Sequence, residues 1–294
     1  MTIEIRAEAK AKALEICKAG FKLSSGHNIP AIGFGTWALT PGTDTVEAVK
    51  CALQSGYRLI DGAAFYGNEI SVGQALAQSG IPREELFITS KVWIDSLGYQ
   101  KTIDAFMKSL RELNLEYLDL YLIHWPASPY KHPNWERLNL ETWQAMIKLY
   151  QDGYIRTIGV SNFKELHLGA LMETQVQPMV NQIEIHPGYS QRKLIKFCQD
   201  NNIVVEGWSP FGRGTVLSNN VVNDLAKKYQ RTPAQICLRF ARQLGVIPIP
   251  KSASMDRMSA NLDIFDFSIS NEDMLTLYSL DTTKVGFSGE DPDL

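Results

Sequence analysis

Short apolar runs alternate along the chain with longer stretches in which apolar residues recur every three or four positions. Runs that are almost entirely apolar are typical of parallel strands buried on both faces. Eight such runs predict strands at Ala31–Trp37, Tyr57–Ala63, Leu86–Val92, Tyr117–His124, Ile155–Ser161, Val180–Ile185, Ile203–Trp208 and Val246–Ile249. The longer stretches between them predict helices.

The predicted helices are amphipathic, and several are followed by glycine or asparagine. In Thr43–Ser55, for example, Val46, Val49 and Leu53 share one face and Gly56 follows. The others are Asn68–Ser79, Thr102–Leu113, Leu140–Gln151, Lys164–Glu173, Gln191–Asn201 and Pro233–Leu244, with Asn219–Lys228 and Asn271–Leu280 as additional helices. The N-terminal extension, residues 1–20, fits either a helix packed on the core or a frayed tail.

Eight strands alternating with helices favour an α/β fold of the closed (β/α)8 TIM-barrel type over an open doubly wound sheet. No Pro/Gly/Ser-rich linker marks a second domain, and the segment from Gly33 to Ala38 lacks the third glycine of the dinucleotide-binding fingerprint. Phe21–Leu23 and Asn28–Pro30 predict a hairpin before the barrel. We therefore expect one domain over residues 1–294, with extra C-terminal helices and a tail at 282–294.

Composition excludes some classes of partner. The net charge is −3 and no block of Lys and Arg occurs, so we expect neither nucleic acid nor a membrane as a partner. No apolar run reaches about 18 residues, and the N-terminus lacks the apolar core of a signal peptide. None of the four cysteines forms a C-x-x-C pair. A cytoplasmic protein with reduced thiols is the resulting expectation.

Polar residues recur at the carboxyl ends of the predicted strands, where barrel enzymes carry their catalytic groups. Asp61, Tyr66, Lys91 and His124 form the most informative set. A free phenol has a pKa of about 10 and is a weak acid at neutral pH, but a nearby ammonium favours phenolate. A carboxylate would hold that ammonium, and a histidine would orient a substrate oxygen. The set suits protonation of an oxygen that gains charge as hydride reaches the adjacent carbon.

Six segments around these residues resemble the aldo-keto reductase superfamily, in order and over a range from Phe21 to Asp281. They are Arg58–Glu69, Ile88–Trp93, Leu122–Pro126, Ile158–Phe163, Asn181–Pro187 and Ile249–Ser252. The motifs resemble those of reductases of the 2,5-diketo-gluconate reductase kind. The resemblance implies that NADPH reduces an aldehyde or ketone to an alcohol. It implies Tyr66 as general acid, Lys91 as the partner that tunes its pKa, Asp61 as anchor of the lysine, and His124 as the orienting group.

The resemblance also implies an NADPH/NADP+ site on the barrel itself. Its residues would be Gly35, Thr36, Trp37 and Asp61; Ser161, Asn162 and Gln182 at the carboxamide; Trp208 against the nicotinamide; Ser209, Phe211 and Gly212 at the pyrophosphate; Lys251, Ser252 and Arg257 at the 2′-phosphate; and Asn261 at the adenine. Two cations and a hydroxyl near a helix N-terminus independently favour a phosphate. The chain departs from the family at Gly62, usually Ser or Thr, and at Ala260, usually Glu.

The expected substrate is a small carbonyl compound, held by Trp37, Trp93, His124 and Trp125, with Phe65 completing an apolar funnel.

The remaining histidines lack metal-ligand spacing, so we expect no metal. Since one chain supplies every predicted group, we expect a monomer. In the family that the chain resembles, this tail shapes specificity, so the resemblance implies that the short tail, Thr282–Leu294, leaves an open pocket with broad use of aldehydes. The rival hypotheses are a nucleotide-binding barrel that senses redox state with little turnover, and an unrelated phosphate-binding lyase or isomerase with a different base.

Overall fold

A computed structural model describes residues 3–281, 286 and 292. Its strands in chain order are β1 Phe21–Lys22, β2 Asn28–Ile29, β3 Gly33–Gly35, β4 Leu59–Asp61, β5 Phe87–Val92, β6 Leu120–Ile123, β7 Ile158–Ser161, β8 Val180–Glu184, β9 Val204–Trp208 and β10 Val246–Ile249. β1 and β2 form an antiparallel hairpin, and β3 to β10 form one parallel sheet in sequential order. The Gly35 N–H donates to the Pro250 carbonyl over 2.9 Å, so the first strand meets the last. The predicted (β/α)8 barrel and its preceding hairpin are confirmed.

Helices surround this sheet. They are α1 Ile3–Lys18, α2 Thr43–Ser55, α3 Glu69–Ser79, α4 Tyr99–Leu113, α5 Trp135–Gln151, α6 Glu165–Met172, α7 Arg192–Asp200, α8 Asn220–Tyr229, α9 Pro233–Gln243, α10 Met255–Leu262 and α11 Asn271–Tyr278. The N-terminal extension is a helix that packs on the barrel, because Ile16 is fully buried and Lys12 pairs with Asp263 at 3.0 Å. The sequence reading did not identify α10. It has eight residues, of which Met258 and Leu262 are the buried apolar ones, so the segment is too short for its apolar pattern to indicate a helix.

The barrel interior has an apolar lower part and a polar upper part. The lower part is filled by side chains from the strands, together with Leu23 and Ile29 of the hairpin region; the strand residues are Leu59, Phe87, Leu120, Leu122, Val180, Ile247 and Ile249. Gly159 of β7 is required here, since a Cβ would lie 2.5 Å from the Val180 carbonyl oxygen. Because the lower part is closed, the polar side chains gather at the carboxyl ends of the strands.

The strands are shorter than the sequence predicted, most clearly at β3. Beyond Gly35, both the backbone N–H and the hydroxyl of Thr36 donate to the Asp61 carbonyl oxygen, at 3.0 and 2.8 Å. The chain therefore turns over the barrel mouth instead of extending the strand to Trp37. The tail at 282–294, apart from residues 286 and 292, lies outside the described part, as does the open pocket predicted from it. Within that part, no helix is long and apolar enough to cross a bilayer.

Candidate active site

Lys91 and Asp61 form an ion pair inside the barrel. The Lys91 ammonium is fully buried and donates to both Asp61 carboxylate oxygens, at 2.7 and 2.8 Å, and to the Gly62 carbonyl at 2.9 Å. Asp61 ends β4, and Lys91 lies two residues beyond its registered partner Thr89 on β5, so both side chains point into the same space. Asp61 and the Gly62 carbonyl thus hold the positive charge of Lys91 at a fixed position below the barrel mouth.

Tyr66 lies in the loop after β4, with its hydroxyl 3.3 Å from the Lys91 ammonium, which donates to it. Burial raises the pKa of Tyr66 to about 12, and the charge of Lys91 lowers it by less than burial raises it. Lys91 acts on this pKa in the expected direction, but the pKa stays above its ordinary value because removal of the phenolate from water is the larger effect. Tyr66 keeps its proton throughout the neutral range.

His124 follows β6 and is held by backbone and ring contacts. Its backbone N–H donates to the Val92 carbonyl at 3.1 Å, and its ring lies 5.6 Å from the Tyr66 ring and 5.0 Å from the Trp93 ring, between centroids. Burial, together with the charge of Lys91, lowers the pKa of His124 well below its usual value. The imidazole is thus neutral at pH 7, and its Nδ1 is buried without a hydrogen-bond partner among the described residues.

Three stacked aromatic side chains stand beside this group. The Phe65 ring lies between those of Trp37 and Trp93, at centroid distances of 5.7 and 3.7 Å. Trp37 and Phe65 are about half exposed, at 51% and 47%. Trp125 is half-buried and makes no ring contact in the part of the chain that the structure describes. The structure therefore brings Trp37, Phe65 and Trp93 as one apolar wall to Asp61, Tyr66, Lys91 and His124, here called the tetrad. Trp125 lies outside the stack.

The ends of β7 and β9 are tied together through Asn162. This residue has a left-handed backbone (φ 61°), a conformation that asparagine tolerates. Its amide nitrogen donates to the His124 carbonyl and to the Ser161 hydroxyl, both at 3.0 Å, and its amide oxygen accepts the Trp208 indole N–H at 2.9 Å. Three residues predicted to contact the nicotinamide thus form one connected group.

Gln182 and Glu206 form a buried pair on the neighbouring strands β8 and β9. The Gln182 amide nitrogen donates to Asp61 Oδ1 at 2.8 Å and to Glu206 Oε2 at 2.9 Å, so one side chain bridges two carboxyl groups. Burial, and then the charge of Asp61, raise the pKa of Glu206 to about 8. Sequence reasoning missed Glu206. The signal was present, since it is the one charged residue in the apolar run Ile203–Trp208.

The remaining predicted cofactor residues lie after β9 and β10. Ser209 and Gly212 make a tight turn, with the Gly212 N–H donating to the Ser209 carbonyl at 2.8 Å, and the partly buried Phe211 packs against the hydrophobic core. Ser252 is buried and its hydroxyl accepts the Ser254 N–H at 3.1 Å. Asn261 is also buried and hydrogen-bonds the Tyr57 hydroxyl.

Two cations flank the start of α10. Lys251 precedes the helix and Arg257 lies in its first turn; both are exposed, and neither forms an ion pair with any described residue. Asp256 is the acidic residue of that turn. Two unpaired cations beside free helical N–H groups are the donor set that a phosphate monoester requires, so these residues fit the predicted 2′-phosphate.

Comparison with protein families and known proteins gives concordant matches. The model of the Aldo/keto reductase family matches residues 31–282. The glyoxal reductase of Bacillus subtilis (strain 168) is 48% identical over 255 residues, which cover 86% of this chain and 89% of that protein. The 9,11-endoperoxide prostaglandin H2 reductase of Trypanosoma cruzi (strain CL Brener) is 42% identical over 275 residues, covering 92% and 94%.

Solved structures match over most of the barrel. A variant of Gox0644 in complex with NADPH has a TM-score of 0.85 at 41% identity and covers 93% of this chain and 97% of its own. The Bombyx mori aldo-keto reductase in complex with NADP has a TM-score of 0.82 at 36% identity, covering 89% and 92%. Fold and sequence similarity therefore extend through the whole region that carries the polar groups at the barrel mouth.

Proposed function

Because this chain belongs to the aldo/keto reductase family, we propose that Asp61, Tyr66, Lys91 and His124 carry out NADPH-dependent reduction of an aldehyde or ketone to an alcohol. The observation that carries the proposal is the position of the Lys91 ammonium. It is fully buried, it contacts both oxygens of Asp61, and it lies 3.3 Å from the Tyr66 hydroxyl. This is a fixed positive charge beside a phenol that holds its proton at neutral pH.

The proposed roles follow from the charges of the groups. NADPH, when bound, supplies the hydride that reaches the carbonyl carbon. As negative charge develops on the carbonyl oxygen, Tyr66 donates its proton, because an alkoxide is a stronger base than a phenolate. Lys91 stabilises the phenolate that remains. His124 is neutral and cannot act as a strong acid at pH 7, so its role is to orient the carbonyl oxygen by a hydrogen bond.

The cofactor would be held along the carboxyl ends of the strands. Both N–H groups of the Gln182 amide are already donated, so this residue offers the nicotinamide carboxamide only its oxygen. Ser161 and Asn162 would contact the same group, and the half-buried Trp208 would face the ring. The other residues that we propose to line the cofactor are Gly35, Thr36, Trp37, Asp61, Ser209, Phe211, Gly212, Lys251, Ser252, Arg257 and Asn261.

The cations at α10 lead to a prediction about cofactor choice. Replacing Arg257 with glutamine should raise KM for NADPH by about tenfold or more, since a charge-assisted hydrogen bond to phosphate contributes about 1.5–3 kcal/mol. KM for NADH, which lacks the phosphate, should stay unchanged. Steady-state kinetics with both cofactors measure this. Arg137→Gln, which removes an exposed arginine paired with Glu141, is the matched control. An equal rise for NADPH and NADH would contradict the assignment.

The substrates that we propose are small aldehydes and dicarbonyl compounds, entering along the wall of Trp37, Phe65 and Trp93. The glyoxal reductase activity named for one relative supports this class. Loss of NADPH absorbance with a panel of small aldehydes, dicarbonyls, aromatic aldehydes and bulky ketones tests it. Turnover of several small aldehydes is expected. Tight NADPH binding without turnover would contradict the reductase, and strong preference for one bulky ketone would contradict broad aldehyde use.

We also propose that the enzyme acts as a monomer in the cytoplasm. All of the groups assigned to the site come from one chain. All four cysteines, Cys17, Cys51, Cys198 and Cys237, carry free thiols, as is usual in a reducing compartment.

A further inference from the structure

Glu206 is a second carboxyl group inside the barrel to which the proposed mechanism gives no role. Its side chain is fully buried, and its Oε1 has no hydrogen-bond partner among the described residues. Its Oε2 accepts from Gln182, which also donates to Asp61. Hydrogen bonds therefore run without a break from Glu206 through Gln182, Asp61 and Lys91 to the Tyr66 hydroxyl.

The charges around Glu206 are few and can be named. Asp61 from β4 and Lys91 from β5 act on it across the barrel. On one side β10, Val246–Ile249, carries no titratable side chain. On the other side, β8 presents Gln182 and, two residues further, Glu184, whose carboxylate lies 3.1 Å from the His186 ring. One buried ammonium thus faces two buried carboxyl groups, and the ammonium contacts Asp61 directly.

Both carboxyl groups cannot be ionised at low cost in this space, because a net negative charge would be left buried. Asp61 has the direct contact with Lys91, so Glu206 is the group that keeps a proton at neutral pH. When Glu206 loses that proton in mildly alkaline solution, a new negative charge arises near the Lys91–Tyr66 pair. A negative charge there makes both groups hold their protons more tightly.

We propose that Glu206 is a positioning residue that acts through Gln182 and Asp61, and that its ionisation extends the pH range in which Tyr66 stays protonated. The proposal rests on the reductase function above. Neutral Glu206 fixes the Gln182 amide and, through it, Asp61. Ionised Glu206 opposes loss of the Tyr66 proton at high pH. Glu206 does not touch the reacting atoms in this account.

The test is the pH dependence of kcat/KM for aldehyde reduction in wild type and in Glu206→Gln, which keeps an acceptor for Gln182 but cannot ionise. Activity near pH 7 should stay within about twofold. The alkaline fall in kcat/KM should begin at a pH lower by about 0.5–1 in Glu206→Gln than in wild type. Glu69→Gln is the matched control. Glu69 is a buried carboxylate that accepts from Ser90 and Ser109 but lies outside the chain of hydrogen bonds from Glu206.

A second variant separates charge from position. Glu206→Met removes both the charge and the acceptor, so kcat near pH 7 should fall about threefold or more while KM changes little, because one Gln182 N–H loses its partner.

The melting temperature controls for misfolding of Glu206→Gln, because this variant is expected to be at least as stable as wild type in alkaline solution. The raised pKa of Glu206 means that the wild type loses stability as pH rises from the ordinary glutamate pKa toward about 8. The neutral amide lacks this loss, so its melting temperature at pH 9 should equal or exceed that of wild type.

Infrared spectroscopy gives a readout that needs no turnover. The C=O stretch of a protonated carboxylic acid should be present near pH 7 in wild type and should weaken above about pH 8. In Glu206→Gln, the component of this band that changes with pH should be absent. The proposal would be overturned if the alkaline fall in kcat/KM were unchanged in Glu206→Gln, or if Glu69→Gln shifted it equally. It would also be overturned if no infrared C=O band changed with pH. If wild type reduced no carbonyl, the reductase assignment would fail, and the infrared result would still decide whether Glu206 carries the proton.

Discussion

Replacing Tyr66 with phenylalanine is expected to lower kcat for carbonyl reduction by about 10²–10⁴-fold, the range typical of a lost general acid. The substitution removes one oxygen atom and leaves the ring and its contacts with Trp37 and His124 in place. No other described group in direct hydrogen-bond contact with Lys91 can supply a proton in place of Tyr66. His124 is neutral, and Lys91 is held by Asp61.

NADPH binding should be unchanged in this variant, because the phenol hydroxyl contacts Lys91 and not the proposed phosphate site. Fluorescence titration with NADPH, beside kinetics under saturating cofactor, separates the two effects. Tyr154→Phe is a suitable control, since Tyr154 is a partly exposed tyrosine that precedes β7 at the opposite end of the barrel. Residual activity above about a tenth of wild type, with the same pH profile, would show that another group donates the proton.

Removal of the Lys91 ammonium is the second change expected to have a large effect. In Lys91→Met, kcat should fall by a similar 10²–10⁴-fold, because nothing stabilises the phenolate after proton transfer. The fold should also lose about 3–5 kcal/mol at pH 7, because Asp61 is left buried without its counter-charge. Denaturant unfolding followed by circular dichroism measures this loss.

The double variant Asp61→Asn/Lys91→Met separates the catalytic effect from the stability effect. With both charges removed, stability should recover in large part while activity stays low. If Lys91→Met unfolded no more easily than wild type at pH 7, the interpretation of Asp61–Lys91 as a buried ion pair would be wrong.

The barrel and its tetrad could be predicted from residues close together in sequence. Each strand is a nearly continuous apolar run, because both faces are buried, and such runs are visible without any tertiary information. Polar residues at the carboxyl ends of successive strands meet at one rim in a closed barrel, so Asp61, Lys91 and His124 could be assigned to one site. The length of each strand was less well predicted, since strand ends depend on where loops such as the one at Thr36 turn away.

Helix α10 and the N-terminal helix α1 mark one limit of the sequence reading. Both contribute few buried apolar residues, Met258 and Leu262 in α10 and Ala13 and Ile16 among the described side chains of α1. A segment with so few buried apolar positions is difficult to distinguish from a loop by its apolar pattern. Whether such a segment folds on the barrel depends on the surface that receives it, which a single sequence does not display.

The sequence by itself determined the barrel class and the family and predicted the four residues of the tetrad, because these depend on local pattern and on residue identity at strand ends. Only the tertiary structure decided the balance of charge within the barrel. Gln182 and Asp61 are 121 positions apart, and their contact brings Glu206 into the same buried network. The pKa of Tyr66 is likewise set by burial against the charge of Lys91. Desolvation and the Coulomb interaction depend on distance and depth in space, which the order of residues does not contain.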